Sequence, residues 1–196
     1  MANITSVCVY CGSSNRAPDK YKEAAKELGT TLAENNIRLV YGGGQVGLMG
    51  IIANSMLEAG GYVVGFMPQY LSDFEAGHPG ITELHIVGDM HERKRKMFES
   101  ADAFAILPGG FGTLDEIFEI LTWRQIGLHN KPIVIIDIDK YWAPLFDTFV
   151  KHMIANNFVL SSHLNYYTLV SDVKDVLSTL EVMPPGEGPD LVSKWG

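Results

Sequence analysis

The sequence predicts an α/β fold, a single doubly wound, Rossmann-like domain with a mostly parallel sheet flanked by helices. Three observations carry that expectation. Short apolar runs alternate along the chain with stretches whose apolar residues recur at helical spacing. The runs, of which Ile133-Val134-Ile135-Ile136 is the plainest, lack in/out alternation, as strands covered on both faces do. Three of them feed glycine loops that open helices, at Gly12, at Gly42 to Gly47 and at Gly109 to Gly112. In a parallel sheet all strand-to-helix loops emerge at one edge, so these three can surround one crevice.

Taken in order, Ile4 to Tyr10 reads as a buried strand, Cys11-Gly12-Ser13-Ser14 as the turn leaving it, and Tyr21, Ala24, Ala25, Leu28 and Leu32 as the apolar face of a helix. Ile37 to Tyr41 is a second strand. Its glycine loop leads to a helix ending near Ala59-Gly60-Gly61, although glycines in such a place can serve helix packing as well as a ligand. Val63 to Met67 is a third strand, Pro68 to Gly80 a long polar loop, and Leu84 to Val87 a short fourth strand. A charged helix starts near Met90. Ala103 to Leu107 is a fifth strand, followed by a helix with apolar Ile117, Ile120, Leu121 and Ile126, and Pro132 to Asp137 is a sixth. Trp142 to Met153 reads as a helix, Tyr167 to Val170 as an edge strand, and Val173 to Leu180 as a last helix capped by Asp172. Residues 1–183 are thus expected to form the domain and 184–196, rich in proline and glycine, a flexible tail.

With 196 residues, 46% of them hydrophobic, the chain can bury one sizeable core. Its formal net charge of −8 argues against a general nucleic-acid or anionic-membrane surface, so any anionic ligand must be held by local groups. No run approaches the roughly 20 apolar residues of a membrane span, and a cytoplasmic protein is expected. Cys8 and Cys11 form a lone CxxC, readable as a redox pair or half a zinc site; with no second pair, a core cysteine plus a loop cysteine is the favoured reading. The six histidines show no metal-ligand spacing, and neither metal nor cofactor is expected.

The chemistry concentrates in two stretches. In Pro108-Gly109-Gly110-Phe111-Gly112-Thr113-Leu114-Asp115-Glu116, glycines let a ligand approach the backbone, and the first helical amides, without internal partners, favour an anion such as phosphate. Thr113 and Glu116 have the spacing of a capping box, but a carboxylate beside a phosphate site can instead address the ribose one turn along. In Met90-His91-Glu92-Arg93-Lys94-Arg95-Lys96, helical geometry puts Met90, Lys94, Met97 and Ala101 on one stripe with Arg93 at its margin, while Glu92, Arg95 and Glu99 point away. Inward cations need carboxylates or a bound phosphate as partners. Since no GxGxxG occurs in the first unit, a mononucleotide-sized ligand is expected.

These stretches resemble the LONELY GUY (LOG) family: the first matches its PGGxGTxxE signature and Met90 to Lys94 its arginine–lysine motif, with further likeness at Cys11-Gly12-Ser13-Ser14, Tyr41-Gly42-Gly43-Gly44 and Leu121-Thr122-Trp123. Phe111 and Asp115, where plant members commonly carry tyrosine and glutamate, look like the bacterial branch. The resemblance implies a phosphoribohydrolase that cleaves the N-glycosidic bond of cytokinin riboside 5′-monophosphates or AMP, giving free base and ribose 5-phosphate. It implies catalytic roles for Arg93 and Glu116, and substrate contacts from Gly12, Ser13, Gly43, Gly44, Met90, Lys94, Pro108, Gly109, Gly110, Phe111, Gly112, Thr113, Leu114 and Asp115. Glu75, in the long loop, is a candidate for contacting the base or a solvated carboxylate. The family's older lysine decarboxylase label finds no pyridoxal-phosphate lysine marked in this chain. The resemblance further implies a homodimer with the active site near the subunit interface. Two rivals share the fold or the chemistry: a non-catalytic nucleotide or molybdenum-cofactor carrier, and an AMP nucleosidase without a hormone role.

Overall fold

The computed structural model describes residues 4–72 and 77–183. Strands β1 (Ser6–Tyr10), β2 (Arg38–Tyr41), β3 (Val63–Pro68), β4 (Glu83–Val87), β5 (Ala103–Ile106), β6 (Ile133–Ile136) and β7 (Thr168–Val170) form one parallel sheet in the order β4-β3-β2-β1-β5-β6-β7. The fold is the α/β, doubly wound one expected. From β1 the chain adds strands outward to β4, then returns to lay β5 on the other side of β1, with Cys8 opposite Phe104 and Tyr10 opposite Ile106. The loops after β1 and β5 therefore leave in opposite directions and open a crevice between them.

Alternate residues of each strand feed two cores. Val7 and Val9 of β1 join Leu39, Tyr41, Ala105 and Val134 under helices α1 (Asp19–Glu34) and α2 (Gly47–Glu58). Cys8 and Tyr10 join Val40, Phe66, Phe104, Ile106 and Ile133 against Met97 of α4 (Met90–Glu99) and Ile117 and Ile120 of α5 (Phe111–Gln125). Covered on both faces, the central strands bury nearly every position, which explains their apolar runs; Ser6, the buried polar exception in β1, bonds to Asp102.

Several local expectations are corrected. The long loop after β3 contains a short helix, α3 (Gln69–Ser72), and Gly77 then makes an antiparallel bridge to Gly44. The helix expected from Trp142 begins as a π-helix, Pro144–Val150, and continues as α6 (Lys151–Ala155). Asp172 does cap, accepting from the Lys174 amide at 3.1 Å, but it opens a 3-10 turn ahead of α7 (Val176–Val182). Helix α5 starts at Phe111 with Gly110 as its N-cap, so Thr113 sits inside the first turn and the Thr113/Glu116 capping box does not form. The tail 184–196 and Glu75 lie outside the described residues.

Among the described residues no helix is long and apolar enough to cross a membrane.

Candidate active site at the β1/β5 crevice

Where β1 and β5 end, the Leu107 amide donates to the Tyr10 carbonyl at 2.9 Å and the Gly12 amide to the Pro108 carbonyl at 3.0 Å. Beyond this last pairing the chains part. Leu114 is the first residue of α5 whose amide finds a helical acceptor, Gly110 O at 3.0 Å. The amides of Gly110, Phe111, Gly112 and Thr113 have no acceptor among the described residues. Four adjacent unpaired donors at the positive end of a helix are an arrangement that favours an anion. The glycines there divide into two kinds. A Cβ on Gly109 would stand 2.0 Å from Thr113 Oγ1, so Gly109 is required by packing within the chain. A Cβ on Gly110 or Gly112 would meet nothing within 4 Å, so at these two positions internal packing makes no such demand.

Helix α4, capped by Asp89, whose carboxylate accepts from the Glu92 amide at 2.8 Å, delivers Arg93 to the same crevice. Its Nε donates to Phe66 O at 3.0 Å and Nη2 to Gly42 O at 3.1 Å, so the guanidinium is fixed by backbone carbonyls at the ends of β3 and β2. A Cβ on Gly42 would lie 1.7 Å from Nη2, and glycine is what admits the arginine. Arg93 Nη1 then stands 3.8 Å from Glu116 Oε1, an ion pair too long to be a hydrogen bond. Glu116 is only 9% exposed. Burial pushes its carboxyl up to about 7; Arg93 opposes the shift and Asp115 adds to it. A carboxyl placed there is suited to proton transfer near neutral pH and, once ionised, to stabilising positive charge.

The resulting cleft has a volume of about 300 Å³, enough for a small ligand. Gly12, Ser13, Gly110, Phe111, Gly112 and Thr113 line it together with Arg93 and Glu116. Opposite the polar groups it is lined by Met49, Met67, Leu71, Met97, Val9 and Cys11. Three methionines give an adaptable, polarisable surface suited to a flat aromatic ring. The Cys11 thiol is driven well above its usual range by burial, and both cysteines are free and buried, so neither is a nucleophile.

Other expected site residues lie around the cleft without lining it. Lys94, 6% exposed, points to α5, where Asp115 and Glu119 each accept from its Nζ side at 3.0 Å. Burial alone would lower its pKa, but these two carboxylates outweigh it and hold the ammonium charged. Asp115 is thereby spent on Lys94. Met90 touches the site through Arg93, whose Nη1 donates to its Sδ at 3.3 Å. Gly43 accepts from the His78 amide and Gly44 pairs with Gly77, so both hold the β2 loop in place. Pro108 and Gly109 line an adjoining cavity instead, and Leu114 packs against the core beneath α4 and α5. Sequence reasoning put Gly42 in a crevice loop and Met97 on an inward stripe, but missed that Gly42 admits Arg93 and that three methionines meet in the cleft. The first was signalled by Gly42's place directly after β2; Met49, Met67 and Met97 come from three elements, and no local pattern joins them.

Among the described residues no group of three or more His, Cys, Asp or Glu side chains could hold a metal ion, and none of those lining the cleft is a lysine.

Comparison with known proteins accords with this geometry. The family described as "Possible lysine decarboxylase" matches residues 49–180. The cytokinin riboside 5′-monophosphate phosphoribohydrolase of Rhodococcoides fascians is 42% identical over 176 residues, covering 89% of this chain and 88% of that one. An enzyme of the same name from Arabidopsis thaliana is 38% identical over 190 residues, covering 96% and 83%. In structure the chain is similar to the molybdenum cofactor carrier protein of Chlamydomonas reinhardtii, with a TM-score of 0.69 over 91% of this chain and 96% of that one; at 18% identity the likeness is one of fold alone. The chain belongs to the LOG family, the family of the cytokinin riboside 5′-monophosphate phosphoribohydrolases.

Proposed function

We propose that this protein hydrolyses the N-glycosidic bond of nucleoside 5′-monophosphates, cytokinin riboside 5′-monophosphates and AMP among them, releasing the free base and ribose 5-phosphate. The observation that carries the reading is the buried Glu116–Arg93 pair lining one cleft together with the row of free α5 amides. The named activity of its relatives supports the same chemistry.

In this mechanism the 5′-phosphate rests on the amides of Gly110 to Thr113 and holds the ribose beside Glu116. As the C1′–N bond breaks, positive charge grows on the ribosyl ring, and ionised Glu116 stabilises it and orients the attacking water. The water oxygen bonds to C1′, the bonding pair leaves with the base, and the water's proton passes to the carboxylate. Arg93 orients Glu116 and polarises the departing base, which lies among Met49, Met67 and Met97. Lys94 and Asp115 act at one remove by joining α4 to α5. A pure carrier would need no carboxylate held near neutrality at the sugar position, and that feature favours the enzyme.

The protein is further proposed to be a cytoplasmic homodimer. Phe111 at the cleft rim is 90% exposed and Phe118 on the same helix 36%, surface that a second copy would cover beside the site.

The test is chromatographic detection of free base after incubation with AMP, N6-isopentenyl-AMP and the two dephosphorylated ribosides. Release from the monophosphates, reduced about 10²- to 10⁴-fold in Glu116→Gln, is expected. Release that survives the substitution would overturn the assignment of Glu116, and intact nucleotide after prolonged incubation would overturn the enzymatic reading.

A further inference from the structure

After β6 the backbone takes two successive left-handed steps at residues that are not glycine, Asp139 at φ 53° and Lys140 at φ 58°. Left-handed backbone is disfavoured for residues with a side chain, and a pair persists only where surrounding contacts hold it. Here they do. The Asp137 carboxylate accepts from the Trp142 amide at 2.6 Å and the Ala143 amide at 3.1 Å, closing the turn from inside. Asp139 forms an ion pair with Lys20 of α1, closing it from outside.

What this turn presents is Tyr141. The ring packs edge-on against Tyr21 with centroids 5.4 Å apart and against Trp142 at 4.9 Å, so two aromatic neighbours fix its direction. Its hydroxyl donates to the carbonyl of Gly109 at 2.6 Å. That carbonyl belongs to the same peptide plane as the Gly110 amide. In a planar trans peptide the carbonyl and the N–H point in opposite directions, so holding the oxygen toward Tyr141 turns the Gly110 N–H away from it. Gly109 and Tyr141 line a second cavity, of about 350 Å³, that adjoins the cleft across Gly12, Ser13 and Gly110; neither lines the cleft itself. The Gly109–Gly110 peptide is flanked by two residues without side chains, whose own torsions restrict its orientation least.

We infer that Tyr141 is a positioning residue for the anion site: its hydroxyl, held by the strained turn after β6, locks the Gly109–Gly110 peptide so that the first free amide of the row faces the bound phosphate. The inference rests on the proposed phosphate site and concerns binding of the 5′-phosphate rather than cleavage. Tyr141 touches neither sugar nor base in this arrangement.

The experiment compares Tyr141→Phe with wild type by calorimetric titration with inorganic phosphate and by KM for AMP, alongside thermal unfolding. Tyr62→Phe, which deletes a hydroxyl bonded to Glu83 on an exposed surface remote from the cleft, serves as the control. Loss of one well-formed hydrogen bond predicts about a tenfold weaker phosphate affinity and a similar rise in KM in Tyr141→Phe, with kcat within about twofold and unfolding unchanged. Unchanged phosphate affinity, or an equal loss in Tyr62→Phe, would overturn the inference. Titration separates this result from the activity: a wild-type protein that binds phosphate without releasing base defeats the proposed hydrolysis and leaves the role of Tyr141 readable.

Discussion

At 3.8 Å from the Arg93 guanidinium, the Glu116 carboxylate gains electrostatic support without the short hydrogen bond that would hold it ionised at low pH. Desolvation therefore wins, and the carboxyl sits at about 7 rather than its ordinary 4.5. The consequence for stability follows in sign. Between those values the folded protein binds a proton that the unfolded chain has released, so stability falls as pH rises through this window. The loss is roughly 3 kcal/mol when complete. Denaturant titrations at pH 5 and pH 8 should show a drop of this order in wild type and much less in Glu116→Gln. Over the same range the proposed mechanism, in which ionised Glu116 is the active form, predicts that kcat/KM rises with pH; a flat profile would mean that another group limits the rate. Gly42→Ala tests the arginine from its other side. The new methyl would collide with Nη2, and base release should fall at least tenfold while circular dichroism stays native.

At the level of elements, α4 and α5 bring Arg93 and Glu116, the two side chains proposed to be catalytic, into one crevice, and their alignment depends on what joins them. Lys94, one residue beyond Arg93, bonds to Asp115 and Glu119, which bracket Glu116 along α5. The carboxylates remain partly exposed and can be rehydrated, so Lys94→Met is expected to cost only about 1–2 kcal/mol. It also removes a charge that favours ionised Glu116 and leaves Asp115 and Glu119 unneutralised beside it. The acidic limb of the activity profile should move to higher pH. Thermal unfolding and a kcat/KM profile would check both effects, and a limb that stays in place would separate Lys94 from the electrostatics of the site.

For the whole molecule, the order β4-β3-β2-β1-β5-β6-β7 puts the switch in winding direction between the two strands that carry Cys11-Gly12 and Pro108-Gly109-Gly110. The remaining site residues arrive from the loop after β2, from α2, β3, α3 and α4 on one half of the sheet, and from α5 on the other. Exposed Phe111 stands where a second copy would close the rim. Sedimentation and activity measured over the same dilution series should decline together if the dimer completes the site; full turnover by a demonstrated monomer would sink the proposal.

Much of this was legible in the residues alone. Strand positions and the parallel sheet follow from apolar runs such as Ile133 to Ile136, because burial on both faces leaves a contiguous local trace. The inward stripe of Lys94, Met97 and Ala101 follows from helical geometry, and the loop that opens α5 from glycines placed between a strand and a helix. What only the tertiary structure decided involves groups distant in the chain. The start of α5 at Phe111, which turns Thr113 from a cap into a buried member of the first turn, depends on the Pro108–Gly12 pairing across β1 and β5. Lys94's commitment to Asp115 and Glu119, Gly42's accommodation of Arg93, and the joining of Met49, Met67 and Met97 in one cleft arise only when the strands are laid side by side. Local periodicity records which face of an element is buried; it carries no information about which distant atoms that face will meet.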